Sequence, residues 1–140
     1  MREIKFRAMT DYSKFSVKLE SEMVYGTGIF TDGVNTWLAS HDGIRCLADN
    51  IAFKIVSKES IGQYTGLKDK NGKEIYEGDI LDSPSVVEPE REICEVYWTH
   101  YSPGWYARSR ESEDELSAFT DDCEVIGNIY ENPELVGGKK

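Results

Sequence analysis

Apolar and polar residues alternate with a period of two along most of the chain. From Arg2 to Met9, Ile4, Phe6 and Ala8 share one face while Glu3, Lys5 and Arg7 share the other, the pattern of a half-buried strand. Phe15, Val17 and Leu19 repeat it against Ser16, Lys18 and Glu20 and predict a second strand. Met23 to Phe30 is β-prone but interrupted by Gly26 and Gly28, which predicts a bulge or a close backbone approach. Tight turns at Asp32-Gly33 and Asp42-Gly43 flank Val34 to Ala39 and precede Ile44 to Leu47, implying a meander of short strands. Ile51 to Val56 fits a strand or a short helical segment equally well. Lys58 to Gly62 reads as a connector.

The sharpest local signal is Gln63 to Leu81, two strand-like runs joined by Asp69-Lys70-Asn71-Gly72-Lys73. Asn71-Gly72 predicts a hairpin with a type I′ turn, which needs positive φ at both central residues. Gly66 and Gly78 bracket the unit, where a side chain would clash or φ must be positive. Asp82 to Glu92, with two prolines and the acidic run from Glu88, reads as a long solvated loop. Ile93 to Thr99 and Trp105 to Arg108 predict paired strands around the Ser102-Pro103-Gly104 turn. Glu111 to Glu115 reads as a loop or one helical turn, and Leu116 to Phe119 and Glu124 to Tyr130 as the last β-prone segments. The expected class is all-β with one or two short helical turns. The expected organisation is an N-terminal β meander over residues 1–62, a C-terminal subdomain over 63–136 and a frayed tail over 137–140. After Gly62 the order of elements suggests a small SH3-like five-stranded barrel, whose closure hides edge strands.

Charge sharpens this division. Residues 1–62 carry eight basic and eight acidic side chains, whereas residues 63–140 carry eight basic and eighteen acidic, so the whole net charge of −10 falls in the second part. Such a field opposes direct nucleic-acid binding and leaves room for a basic protein partner or for mimicry of nucleic-acid charge; solvation alone also accounts for it. No apolar run approaches the roughly 18 residues of a membrane helix. The N-terminus has no apolar core of a signal peptide. The odd count of Cys46, Cys94 and Cys123, far apart and without a CxxC pair, suggests free thiols in a reducing cytoplasm.

Candidate chemistry is sparse. Placing Gly72 at the sixth position of a calcium loop puts Leu67 first and Gly78 twelfth, and neither side chain coordinates. His41 and His100 are single and distant, no serine sits in an activating motif, and no cluster has zinc spacing. Asp79 is an isolated acid whose expected task is to accept backbone bonds in a turn. Catalytic residues, metal and cofactor are therefore not expected. The aromatic stretch around Pro103 is the candidate binding surface: Tyr97, His100, Tyr101, Trp105 and Tyr106 suit a peptide or base-stacking groove, or plain cross-strand packing. The structural turn positions are Asn71, Gly72, Gly66 and Gly78.

Three blocks, Arg2 to Ala8 (REIKFRA), Tyr64 to Ile80 (YTGLKDKNGKEIYEGDI) and Val125 to Leu135 (VIGNIYENPEL), resemble the YopX family of phage and prophage proteins. Where that family often has Trp after the first block, this chain has Met9-Thr10. The resemblance implies a small, mainly β protein with two β-rich parts and self-association, and no catalytic residue. Together with the residues, it leads us to expect a non-enzymatic protein–protein interaction module whose partner is a host or phage protein or a second copy. The alternatives are a small barrel binding single-stranded nucleic acid or a small ligand through its aromatic surface, and an acidic mimic acting on a host protein.

Overall fold

Nearly every regular element is a strand in the computed structural model of the 140-residue chain, which describes residues 3–16, 18–40, 52–84, 90–110, 112–118 and 120–137. The all-β class holds. Outside the described residues lie Arg2, Val17, the Asp42-Gly43 turn, the Ile44 to Leu47 segment, His41, Cys46 and Ile51. So do the acid and proline at Glu88-Pro89, Glu111, Phe119 and the tail from Gly138. The chain divides into two compact units, Met1–Gln63 and Tyr64–Lys140.

In the first unit, β1 (Phe6–Met9) pairs antiparallel with β2 (Met23–Gly26) on one side. On its other side it pairs with the first two residues of β6 (Gly62–Lys68). β1 buries Arg7 as well as Ala8, so the polar face expected from alternation is not a solvent face at Arg7. β3 (Gly28–Thr31), β4 (Thr36–Ser40) and β5 (Ala52–Val56) form an antiparallel meander in that order. Ala8, Val24, Leu38 and Val56 make the core, with Phe6 and Ile61 packed against it. The outer edge of β5 is closed by a Thr10–Val56 bridge and by backbone bonds from Asp11 N–H to the Ile55 carbonyl (3.1 Å) and from Ser57 N–H to the Met9 carbonyl (2.8 Å). A 3-10 turn, Lys58–Ser60, follows, and its Ser60 Oγ accepts the Met9 N–H at 2.8 Å.

The strand expected at Phe15 to Glu20 does not form among the described residues. Asp11 Oδ1 accepts the Ser13 N–H and hydroxyl, which turns the chain there, and Phe15 and Leu19 stay exposed with no core to receive them. Gly26, by contrast, is a true close approach, since a Cβ there would overlap the Ala39 carbonyl oxygen. The turn after Thr31 is capped by Asp32, whose Oδ1 accepts the N–H groups of Val34 (2.8 Å) and Asn35 (2.7 Å).

In the second unit, β6 continues from Tyr64 and pairs with β7 (Glu74–Tyr76). β8 (Asp79–Pro84), β9 (Arg91–Thr99), β10 (Gly104–Arg108), β11 (Glu113–Glu115) and β12 (Glu124–Asn128) form one antiparallel sheet, ordered β11-β10-β9-β8-β12. The antiparallel sheets are curled. The core of this unit gathers Ile75, Leu81, Cys94, Val96, Ala107, Leu116, Cys123 and Val125, with Leu67 and Trp105 against it. Three expectations need correction. The loop after Leu81 is shorter than expected, because Asp82 to Pro84 stay paired with Ile93 to Arg91. The acidic run ends in strand β11, because β10 offers it an open edge. Leu116 begins a 3-10 turn (Leu116–Ala118), not a strand, and drops its side chain into the core. One α-helical turn, α1 (Glu134–Gly137), follows Pro133.

The β6–β7 hairpin differs from a type I′ turn. Gly72 N–H bonds the Asp69 carbonyl (3.0 Å) and Asp69 N–H the Lys73 carbonyl (2.9 Å), while Gly72 has φ +81°. This is the three-residue loop in which a type I turn is followed by one left-handed residue. Asn71 is a turn residue and Gly72 carries the positive φ. Asp69 is buried, and its carboxylate accepts the N–H groups of Asn71 (2.8 Å), Lys73 (2.9 Å) and, from β12, Val125 (3.0 Å).

Two outcomes follow from these positions. Gly26→Ala should lower stability by about 2 kcal/mol or more, because backbone must move, whereas Gly72→Ala meets open space and should cost only the roughly 1 kcal/mol of its φ. Urea midpoints check the ranking, and equal costs would reject it. Burial raises the Asp69 pKa, but the bonds from Val125, Lys73 and Asn71 outweigh it and leave the carboxyl below its ordinary value. The carboxylate therefore stabilises the fold above the unfolded-chain pKa near 4, and that contribution fades as pH falls through the lower folded value. Asp69→Asn should be less stable by about 1–3 kcal/mol at pH 7 and should lose this part of the acid dependence, read from urea unfolding across the acid range.

Candidate functional site

The β9–β10 hairpin carries most of the residues that sequence singled out. Its register is Gly104–Thr99, Trp105–Trp98, Tyr106–Tyr97, Ala107–Val96 and Arg108–Glu95, closed by a loop from His100 to Pro103. Directly opposed residues lie on the same face, so the aromatics sort into two sets. Trp98 and Trp105 stand on the side of Val96 and Ala107. Their rings meet edge to face, with centroids 5.0 Å apart, and Trp105 packs on the core. The Trp105 Nε1 is buried without a hydrogen-bond partner. Tyr97 and Tyr106 stand on the opposite, outer side, with centroids 6.4 Å apart. His100 and Tyr101 are exposed in the loop, and Tyr101 is fully so. Trp105 is thus separated from the two tyrosines by the sheet itself.

The outer side holds residues that the aromatic pattern alone did not indicate. The Arg108 guanidinium lies over the Tyr97 ring, 4.4 Å from its centroid, and bonds Glu95 Oε2 at 3.4 Å. Such a cation–π contact at an exposed site contributes roughly 0.5–1 kcal/mol. Tyr106 donates from its hydroxyl to Ser102 Oγ (3.1 Å), which fixes the ring against the loop. Tyr97 has its pKa pushed up to about 12, first by loss of solvent, then by its hydrogen bond to the Glu113 carboxylate and that charge, with Arg108 opposing. Of these partners, Glu95 and Arg108 were legible from alternation once the Pro103-Gly104 turn sets the register. Glu95 and Tyr97 then share a side, and so do Tyr106 and Arg108.

The turn glycines lie elsewhere. Gly66 (φ +85°) sits where β6 bulges against β7 between Tyr64 and Lys68. Gly78 (φ +87°) donates to the Val96 carbonyl and accepts from Ile129 N–H, both at 2.9 Å. Asp79 is buried and accepts the Tyr76 N–H at 2.8 Å, as expected of an acid at a strand start. The Cys94 and Cys123 thiols are free and buried, and burial first of all pushes both upward, Cys123 to about 11. Such thiols are poor nucleophiles near neutral pH. Among the described residues, no group of three or more His, Cys, Asp or Glu side chains is placed to hold a metal, and no helix is long and apolar enough to cross a membrane.

The curled sheet, the bulged hairpin beside it and the small N-terminal meander define a two-unit all-β protein. The chain matches the YopX protein family over residues 5–137 and belongs to that family. The crystal structure of protein EF1440 from Enterococcus faecalis is similar to it, with a TM-score of 0.52 and 28% identity, covering 95% of this chain and 97% of that one. Comparison with curated proteins gave no match.

One outcome tests the outer face. Glu113→Gln should bring the Tyr97 pKa down from about 12 toward the ordinary value near 10, because both the charge and the carboxylate acceptor go. Titration of isotope-labelled tyrosine by NMR reads it, and an unmoved Tyr97 would remove Glu113 from the network.

Proposed function

We propose that this YopX-family chain is a non-enzymatic protein–protein interaction module, a phage or prophage accessory protein working in the host cytoplasm. It engages a protein partner through the outer face and tip of the β9–β10 hairpin. The observation that carries the reading is the Tyr97–Tyr106–Arg108 arrangement, held by Glu95 and Ser102 beside the exposed Tyr101. Tyrosine and arginine supply large contact area at low ordering cost, which is why they dominate protein interfaces. The flanking acids Glu95, Glu113 and Glu115 favour a partner with basic side chains and oppose a phosphate backbone. The buried Asp69 and Asp79 carboxylates are engaged by backbone N–H groups and the two described thiols are raised in pKa, which supports a binding role over catalysis.

A photo-crosslinking residue at Tyr101 should capture a defined protein in host cells, and the same residue at Lys18 should not. The purified partner should then lose about tenfold or more in affinity toward Tyr101→Ala with Arg108→Ala, at an unchanged melting temperature. Equal capture from both positions, or unaltered affinity in the double variant, would refute the reading.

A further inference from the structure

Of the five asparagines in the chain, Asn71 alone precedes a glycine. The peptide nitrogen that follows an asparagine attacks the side-chain amide carbon, and a glycine at that next position leaves the approach open. Asn35, Asn50 and Asn128 precede Thr36, Ile51 and Ile129, whose branched side chains crowd it. Asn132 precedes Pro133, which has no N–H.

The structure sets the same residue apart. Asn71 is exposed in the β6–β7 loop, and its side-chain amide bonds no described residue. By contrast, Asn35 Oδ1 accepts from Lys14 Nζ (2.9 Å), and Asn132 Oδ1 accepts the Asn128 N–H (3.3 Å). Asn128 is buried, and its Oδ1 accepts the N–H groups of Tyr130 (3.0 Å) and Glu131 (2.9 Å). Beside Asn71, a Cβ on Gly72 would meet nothing within 4 Å, so the turn is open to water. One residue opposes reaction. The attacking Gly72 nitrogen is held through its N–H on the Asp69 carbonyl (3.0 Å), and the Asn71 N–H is held on Asp69 Oδ1 (2.8 Å).

We propose that Asn71 is a site of spontaneous deamidation whose rate the Asp69 anchor restrains, and that the isoaspartyl product loosens the hairpin tip from β12. When the turn opens, the Gly72 nitrogen gives its proton to hydroxide and bonds the Asn71 side-chain carbon. Ammonia leaves with a proton from water, and a cyclic imide remains. Water then adds to either imide carbonyl and cleaves its bond to nitrogen. Aspartate forms, or isoaspartate with the main chain routed through the side-chain carbon. The balance is a water consumed and an ammonia released, with nothing oxidised or reduced. Isoaspartate lengthens the loop by a methylene and sets a new carboxylate beside Asp69, which also holds the Lys73 and Val125 N–H groups. Like charge and the altered turn then both oppose the seam. The inference is independent of the β9–β10 face and stands if that face binds nothing.

The test incubates the full chain at mildly alkaline pH, folded and in urea, and follows each asparagine by peptide mass spectrometry. Asn71 should convert before the others. It should convert about tenfold or more faster in urea than in the folded chain, where reaction waits on local opening. Asp69→Asn should raise the folded rate by about tenfold as well, because its turn opens more readily. Should that variant fail to fold, the urea comparison still decides. In the purified isoaspartyl form, hydrogen exchange at the Val125 amide should be about tenfold or more faster than in the unmodified chain. Another asparagine converting first, or equal rates folded and in urea, would overturn the proposal. So would an unmoved rate in folded Asp69→Asn, or unchanged Val125 exchange in the isoaspartyl form.

Discussion

One buried carboxylate governs how the second unit closes. Asp69 gives up water, at a cost, and receives two N–H donors from its own turn and one from Val125 of β12. Hydrogen bonds to a charged group contribute roughly 1.5–3 kcal/mol each, so three outweigh the desolvation. The Lys70–Glu124 ion pair across the same junction, 3.4 Å long and about 40% exposed on each side, contributes no more than about 1 kcal/mol. The hairpin tip is therefore fixed to β12 by the buried acid, while the surface pair adds little. Lys70 N–H to the Cys123 carbonyl (3.0 Å) completes the seam. With the tip held there, Leu67 and Ile75 reach the core of the curled sheet.

The strand β9 shows how one element serves both core and surface. Cys94 and Val96 on one face are buried with Leu81 and Ala107, while Glu95 and Tyr97 on the other face stay accessible. The outer ring pair is held by its neighbours: Ser102 on Tyr106, Arg108 on Tyr97, Glu95 on Arg108. A surface already ordered loses less freedom on association than one assembled from mobile side chains. The acids beside it set its charge without entering the core.

How much of this was legible in the sequence depends on whether the residue's fate is local. Val96 against Tyr97, the Pro103-Gly104 reversal and the positive φ of Gly72 follow from alternation and turn chemistry, which act over a few residues. Asp69 as an anchor was not legible, because its third donor lies 56 positions away. Only its place at the head of a turn hinted that its side chain would cap backbone groups. Phe15 and Leu19 alternate as a strand would, yet no strand among the described residues pairs with them, and Asp11 turns the chain instead. The acidic Glu113 to Glu115 segment has poor strand propensity, and the open edge of β10 overrides it. Arg7 was assigned to solvent because alternation cannot tell whether the second face of a strand is covered as well as the first.

The order β11-β10-β9-β8-β12 has a kinetic meaning. Four of its strands are neighbours in sequence as well as in space, so each pairing closes a short loop. β12 alone must return across the whole run to lie beside β8, and its register shifts at Ile126 between the paired residues Val125 and Gly127. The entropy of that closure is met before any of its contacts form. Loop-closure entropy therefore favours the pairings of the β8-to-β10 meander and the β6–β7 hairpin over that of β12, whose return joins these two local structures.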